Sequence, residues 1–228
     1  MVRAVRVIDL DILPYRDAWQ RQEAVHADVV DGGEEAILLV EHPPTITLGR
    51  RAEVARSHIV ASTAELRRLG VEVVETDRGG DVTYHGPGQV VAYPVVRLAD
   101  RGLSVGGYMR RLQEAVVATV ADFEVQAFRD AAAPGVWAND PPDSQEAAKL
   151  AAVGVRVRGG ATLHGLALNV EPNLSHFNLI NACGLGRATT SLHKLRGGKA
   201  PSILAVKAVL AKHLKAALAT PGGSTDKA

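Results

Sequence analysis

The segment 149–170, KLAAVGVRVRGGATLHGLALNV, constrains this chain more than any other. Residues 149–158 alternate, with Val153, Val155 and Val157 on one face. The pattern breaks at Gly159-Gly160 and resumes as a second apolar run over 162–170. A period of two marks strands, and a glycine pair between two such runs marks the turn of a hairpin. The chain therefore contains a long antiparallel strand pair and must supply further strands and helices to cover its faces.

Other segments supply them. Val5 and Val7 flank Arg6 in a short strand, and residues 36–41 (AILLVE) read as a buried strand ended by His42-Pro43-Pro44. Residues 45–49 (TITLG) are expected to pair beside it. Residues 71–75 form a strand. Residues 81–84 and 89–96 form two more, joined by His85-Gly86-Pro87-Gly88, and residues 124–128 form another. Helices are expected from Pro14 to about Val30, with Gly32 and Gly33 as the stop, and from Ser62, whose Glu65 completes a capping box, to Gly70. A third runs from Ser104 to about Asp122, with Leu112, Val116, Val117 and Val120 on one face. A fourth covers 201–218, with Lys207, Lys212 and Lys215 toward water. Residues 139–146 (NDPPDSQE) read as an exposed loop. Strands dominate the middle and helices interrupt them irregularly. That predicts an α+β fold with a mixed or antiparallel sheet flanked by helices.

Length and composition narrow the class. At 228 residues the chain is read as a single domain over 1–218, with 219–228 as a flexible C-terminal tail. Lys+Arg of 26 against Asp+Glu of 25 argues against a dedicated nucleic-acid binder. The single Cys183 excludes an intramolecular disulfide and a multi-cysteine zinc site, which fits a reducing compartment. No stretch has the apolar length of a membrane span, and residues 1–10 carry Arg3, Arg6 and Asp9 without a signal-peptide core. The expectation is a cytoplasmic monomer with no membrane or nucleic-acid partner.

Two groups of residues carry possible chemistry. Cys183, in Asn181-Ala182-Cys183-Gly184, reads on composition alone as a small buried hydrophobe. As a nucleophile it needs a base or cation beside it, because an unshifted thiol is mostly protonated at neutral pH. Lys149 is one candidate partner; its plainer reading is a solvated strand-end lysine. His85 and His164, each followed by glycine, are others, although a histidine on a strand or turn is more often structural. His26 and His213, on helices, are read as surface residues. The second group is Arg78-Gly79-Gly80-Asp81-Val82-Thr83-Tyr84-His85-Gly86-Pro87-Gly88-Gln89. Its four glycines permit close backbone approach to a ligand, or simply flexible turns in a hairpin. It matches neither a dinucleotide fingerprint nor a phosphate loop, and the Asp, Glu and His spacings show no clear metal cluster.

The run Arg78–Gln89 closely resembles the signature of the lipoyl(octanoyl) transferases. Glu41-His42-Pro43 with 45–50 (TITLGR), Ala133-Pro-Gly-Val-Trp137, Lys149-Leu-Ala-Ala-Val-Gly154, residues 162–169 (TLHGLALN) and Asn181-Ala-Cys-Gly184 are similar to further motifs of that family, in order. The resemblance covers residues 5–195. It implies the catalytic-domain fold shared with lipoate-protein and biotin-protein ligases. It also implies a reaction: octanoyl passes from octanoyl-acyl carrier protein to Cys183 as a thioester, then to a lysine of a lipoyl domain. Acceptors of this kind occur in 2-oxo acid dehydrogenase E2 subunits and glycine cleavage H protein. Lys149 would be the base. Arg78, Gly79, Gly80, Asp81, Val82, Thr83, Tyr84 and His85 would line the acyl site with Ala152, Val153, Gly154, Gly165, Leu166 and Ala167. No cofactor or metal is implied. Two departures stand out: Ala182 replaces a common proline before the cysteine, and the polar loop before Lys149 is longer than usual. The rival readings are an ATP-dependent lipoate or octanoate ligase of the same superfamily, a Cys hydrolase or amidase using His85 or His164, and a non-enzymatic acyl-carrier-binding module.

Overall fold

A strand buried on both faces reads as a continuous apolar run and belongs in the middle of a covered sheet. Three of the longer runs meet that description: β2 (Ala36–Glu41), β6 (Gln89–Val95) and β10 (Ala161–Asn169), buried at nearly every position. The computed structural model describes residues 4–181, 187–219 and 221–223. In it these three strands are central in a seven-stranded sheet. Around them stand β1 (Arg6–Ile12), β7 (Phe128–Asp130), β8 (Ala133–Asn139) and β9 (Ala147–Arg158), in the order β1-β2-β6-β10-β9-β8-β7. Among the described strand pairs of this sheet, only β1–β2 is parallel.

Alternation within the central strands serves two layers. Ile37, Leu39, Val90, Ala92, Leu166 and Leu168 pack under α4 (Val105–Ala121) and α6 (Ile203–Ala219). Leu38, Val40, Val91, Tyr93 and Ala167 face the opposite side, with Ala18 of α1 (Tyr15–Val30). Leu112, Val116 and Val120 of α4 are fully buried. Each such side chain contributes about 1.5–3 kcal/mol relative to exposure. The Ser104 and Ser62 caps form as the sequence predicts. Their hydroxyls accept from the N–H of Gly107 and Glu65 and open α4 and α3 (Thr63–Arg68).

The 149–170 hairpin is present, with Gly154 opposite Gly165 and Ala152 opposite Ala167. Several other expectations are corrected. Residues 45–48 do not pair beside β2. They form β3 (Thr45–Leu48) of a second, three-stranded sheet with β4 (Glu72–Glu75) and β5 (Val82–His85), in the order β4-β3-β5. His42-Pro43-Pro44 carries the chain out of the large sheet, since neither proline can donate to a ladder. Strands β5 and β6 are not a hairpin either: the turn between them crosses from the small sheet to the large one. Gly88 (φ 87°) is the crossing point, where a Cβ would lie 2.5 Å from the Glu171 carbonyl oxygen.

Residues 124–127 are not strand. Glu124 takes a left-handed conformation (φ 63°), and the Val125 N–H bonds back to the Val120 carbonyl, closing α4. Lys207 does not face water: it is 5% exposed and its Nζ pairs with Asp9 of β1 at 2.7 Å. His26 is also buried, with Nε2 2.9 Å from the Arg158 carbonyl. Two short helices complete the fold, α2 (Ala52–Ser57) and α5 (Leu192–Leu195). Among the described residues no helix is long and apolar enough to cross a membrane.

Candidate active site

A cavity opens between the α1-side face of the large sheet and the small sheet. The hairpin supplies one wall, through Ala152, Val153, Gly154, Gly165, Leu166 and Ala167. The cross-strand pairs Gly154/Gly165 and Ala152/Ala167 present no side chain larger than a methyl group. At Gly165 a Cβ would lie 2.1 Å from the Ala92 carbonyl oxygen, so the close approach of β6 requires glycine there. The opposite wall is the glycine run: Arg78, Gly80, Asp81, Val82, Thr83 and His85 line the cavity. Gly79 instead uses its N–H to bind the Val155 carbonyl at 3.0 Å. Tyr84 is not among the lining residues. It packs in the small-sheet core, its hydroxyl 2.8 Å from Nδ1 of His176 and its ring edge-on to Phe177.

Residues that sequence reasoning left out also line the cavity. Gln89, Val91 and Tyr93 come from β6, where their spacing of two already placed them on one face. Ala133, Pro134 and Asn169 stand in motifs of the family resemblance that did not mark them as lining residues, and Tyr15, Phe177 and Thr189 carried no local signal.

Arg78 is buried. Its Nε donates to Thr47 Oγ1 (3.0 Å) and its Nη2 to the Thr47 carbonyl (2.7 Å), fastening the glycine run to β3. His85 begins a chain of amides. Gln89 Nε2 donates to Asn169 Oδ1 (2.9 Å), and Asn169 Nδ2 donates to the Thr190 carbonyl (3.0 Å). Gln89 Oε1 is then the acceptor facing His85 Nδ1 at 3.2 Å. Burial, reinforced by the nearby Arg78 guanidinium, holds the His85 pKa well below its ordinary value. His42 is lowered to about 4 by burial; its Nδ1–H donates to the Leu13 carbonyl and its Nε2 accepts from Tyr93. Burial likewise pushes the Tyr15 hydroxyl up to about 12. The imidazoles of His42 and His85 are therefore neutral at physiological pH.

Lys149 faces the cavity with its Nζ 4.9 Å from the centre of the Trp137 ring. Its stem passes Gly135, where a Cβ would meet Cε at 3.5 Å. Its backbone is bonded on both sides to the segment after the cysteine loop. The Lys149 N–H donates to the Ala188 carbonyl (2.8 Å), and the Thr190 N–H donates to the Lys149 carbonyl (3.0 Å). Arg187 lies over Trp137 at 4.9 Å and pairs with Asp130. On the other flank, the Asn181 N–H donates to the His58 carbonyl at 2.7 Å. Cys183 itself, with Ala182 and Gly184, lies outside the described residues. The polar loop before Lys149 is closed on itself by a bond from the Asp140 N–H to the Glu146 carbonyl, and Asp140 pairs with Lys194 at 2.8 Å.

Residues 14–215 match the family described as the lipoyl protein ligase A/B catalytic domain. The chain belongs to this family. Within it, the chain is 44% identical over 208 residues to an octanoyltransferase of Chloroflexus aurantiacus, covering 90% of each protein. It is 40% identical over 222 residues to an octanoyltransferase of Nitratidesulfovibrio vulgaris, covering 97% of this chain and 98% of that one. The fold of this lipoyl protein ligase A/B member is also that of solved structures at low identity. One is the bipartite lipoate protein ligase of Thermoplasma acidophilum (TM-score 0.71, 15% identity, 96% of this chain and 86% of that one). Another is the biotin protein ligase of Aquifex aeolicus (TM-score 0.54, 12% identity, 96% and 71%).

Proposed function

We propose that this chain is an acyltransferase that moves an octanoyl group from octanoyl-acyl carrier protein to a lysine of a lipoyl domain, with Cys183 as the nucleophile. The observation that carries the reading is the cavity itself. Its hairpin wall includes two cross-strand pairs, one of glycines and one of alanines, and Lys149 is among its lining residues. A narrow apolar slot suits a linear chain, and burying it contributes about 0.8 kcal/mol per methylene. The octanoyltransferase relatives at 40–44% identity over nearly their whole length support the same reaction.

In this reading Lys149 takes the proton from the Cys183 thiol, and the thiolate attacks the donor thioester carbonyl. The carrier thiol leaves, taking a proton, and the octanoyl group rests on Cys183. The acceptor lysine, deprotonated by Lys149, then attacks that thioester and releases the Cys183 thiol. One acyl transfer becomes two steps, with no net oxidation. The bonding of Lys149 to Ala188 and Thr190, a few residues past Cys183, supports the pairing of these two residues. A hydrolase using His164 would have to work through Nδ1, since Nε2 donates to Asp77 at 2.6 Å, and that nitrogen already faces the Tyr15 hydroxyl at 3.4 Å. A His85 base is disfavoured by the lowered basicity that burial imposes.

The test is modification of an apo-lipoyl domain. With octanoyl-acyl carrier protein and no ATP, the acceptor lysine should gain an octanoyl amide. Modification only from free octanoate with ATP would make the chain a ligase, and release of free octanoate without acceptor modification would make it a hydrolase.

A further inference from the structure

His164 combines features that acyl transfer, as written above, does not use. It lies within β10 at φ 59°, a left-handed conformation that non-glycine residues seldom adopt and that persists only where the surroundings enforce it. It is 1% exposed and lines the cavity. Its backbone N–H donates to Oε1 of Gln22, a fully buried residue of α1, at 3.0 Å. Its Nε2 donates to Asp77 Oδ1 at 2.6 Å, and its Nδ1 stands 3.4 Å from the Tyr15 hydroxyl.

Asp77 belongs to the loop between β4 and β5 and directly precedes Arg78-Gly79-Gly80. Two residues on, the Gly79 N–H donates to the carbonyl of Val155, the cross-strand partner of His164. A single rung of the large-sheet hairpin thus holds the small-sheet loop twice, at Asp77 through the His164 ring and at Gly79 through the Val155 carbonyl. Arg156, the next residue of β9, adds a cation 3.2 Å from Asp77. The hydrogen bond from His164 and the charges around it keep the Asp77 carboxyl below its usual range. The cavity lies between the two parts so joined: Arg78 and Gly80 on the loop, Gly154, Gly165 and Ala167 on the hairpin.

We propose that the His164–Asp77 pair is a staple between the two sheets that fixes the width of the acyl slot, making His164 a positioning residue that sets which chain lengths the site accepts. The proposal rests on the reading of the cavity as an acyl site. Discrimination of one methylene by an apolar pocket is modest, and it exists only while the walls hold their shape. Without the staple, Arg78 still ties the loop to β3, so the loop moves with the small sheet instead of unfolding. The slot widens, octanoyl is held less tightly, and longer chains enter.

The test compares wild type with Asp77→Leu and His164→Gly, using octanoyl-, decanoyl- and dodecanoyl-acyl carrier protein as donors. Asp77→Leu keeps the side-chain size but offers no acceptor to the His164 ring. His164→Gly removes the ring but relieves the left-handed backbone, so a purely structural residue would show little loss of activity. The expected result is a KM for the octanoyl donor raised about tenfold with kcat changed by less than about threefold, and a preference for octanoyl over dodecanoyl reduced about tenfold. Amide exchange at Gly79 should also quicken in Asp77→Leu. Wild-type KM, selectivity and Gly79 exchange in a folded Asp77→Leu protein would overturn the staple, whether or not His164→Gly folds. A wild-type chain inert toward every acyl donor would instead overturn the acyl reading, and the staple's role with it.

Discussion

Lys149 reaches Trp137 because of one extra residue. Val136 pairs with Ala151, but Trp137 pairs with Lys149, so β9 bulges at Leu150. The bulge places Leu150 and Ala151 both in the core and aims Lys149 at the indole face. A strict period of two in the sequence reports Val153, Val155 and Val157 correctly as one face, yet it cannot report this shift of phase. That is why Lys149 reads from sequence as a strand-end lysine. Its assigned role gives a direct prediction. Lys149→Ala should slow acyl transfer about 100-fold or more and move the rising limb of the rate–pH profile, where the base sheds its proton. Lys149→Arg should stay slow, because a guanidinium does not give up its proton. An unchanged profile in Lys149→Ala would remove the lysine from the chemistry. The glycine run was legible for a different reason. Alternation along β5 separates Thr83 and His85, on the cavity, from Tyr84, in the small-sheet core, although the signature names all three.

Individual elements were largely readable, while their partners were not. Apolar runs, serine caps and the glycine-bounded hairpin are local signals. The choice between two sheets is made at turns such as His42-Pro43-Pro44 and at Gly88, whose crowding involves Glu171, far along the chain. The C-terminal helix is a similar case. Its last carbonyls are held by arginines from distant elements: Arg101 donates to Leu218, and Arg111 donates to Ala217 at 2.6 Å. Arg111 also reaches the Pro221 carbonyl at 3.0 Å, and the Gly222 N–H donates to the Arg101 carbonyl at 2.7 Å. Arg101 also forms a fully buried pair with Glu35, at the start of β2. Removing one member of such a pair leaves a buried charge. Arg101→Leu should therefore cost about 3–5 kcal/mol in urea unfolding. The double change Arg101→Leu with Glu35→Leu should recover much of it. A single-mutant loss below about 1 kcal/mol would mean that Glu35 finds another partner.

At the scale of the whole molecule, the cluster of buried histidines ties stability to pH. His42 titrates near 4 in the folded chain and His85 well below its ordinary value, while the unfolded chain returns both to about 6.5. Between those values the unfolded state binds protons that the folded state refuses. The contribution is complete above pH 6.5 and is lost as pH falls toward 4. For His42 it amounts to about 3 kcal/mol. Urea midpoints between pH 7 and 4.5 should fall with acidification, and His42→Gln should flatten the slope by about one proton. An identical slope in the variant would show that His42 protonates equally in both states. At this scale the order of motifs from Glu41 to Gly184 carried the family from sequence, since no single motif specifies chemistry. The buried imidazole network, which depends on contacts between α1, β2, β5, β6 and β10, did not show in any local pattern.

The central claim is that octanoyl rests on Cys183 during transfer, and intact-mass analysis tests it most directly. Wild type and Cys183→Ala would each be mixed with octanoyl-acyl carrier protein in the absence of ATP. The account predicts one added octanoyl group on the wild type alone, removed by hydroxylamine and passed on to an apo-lipoyl domain. If the wild type gains no mass, or Cys183→Ala still modifies the acceptor at the wild-type rate, the covalent route through Cys183 is contradicted.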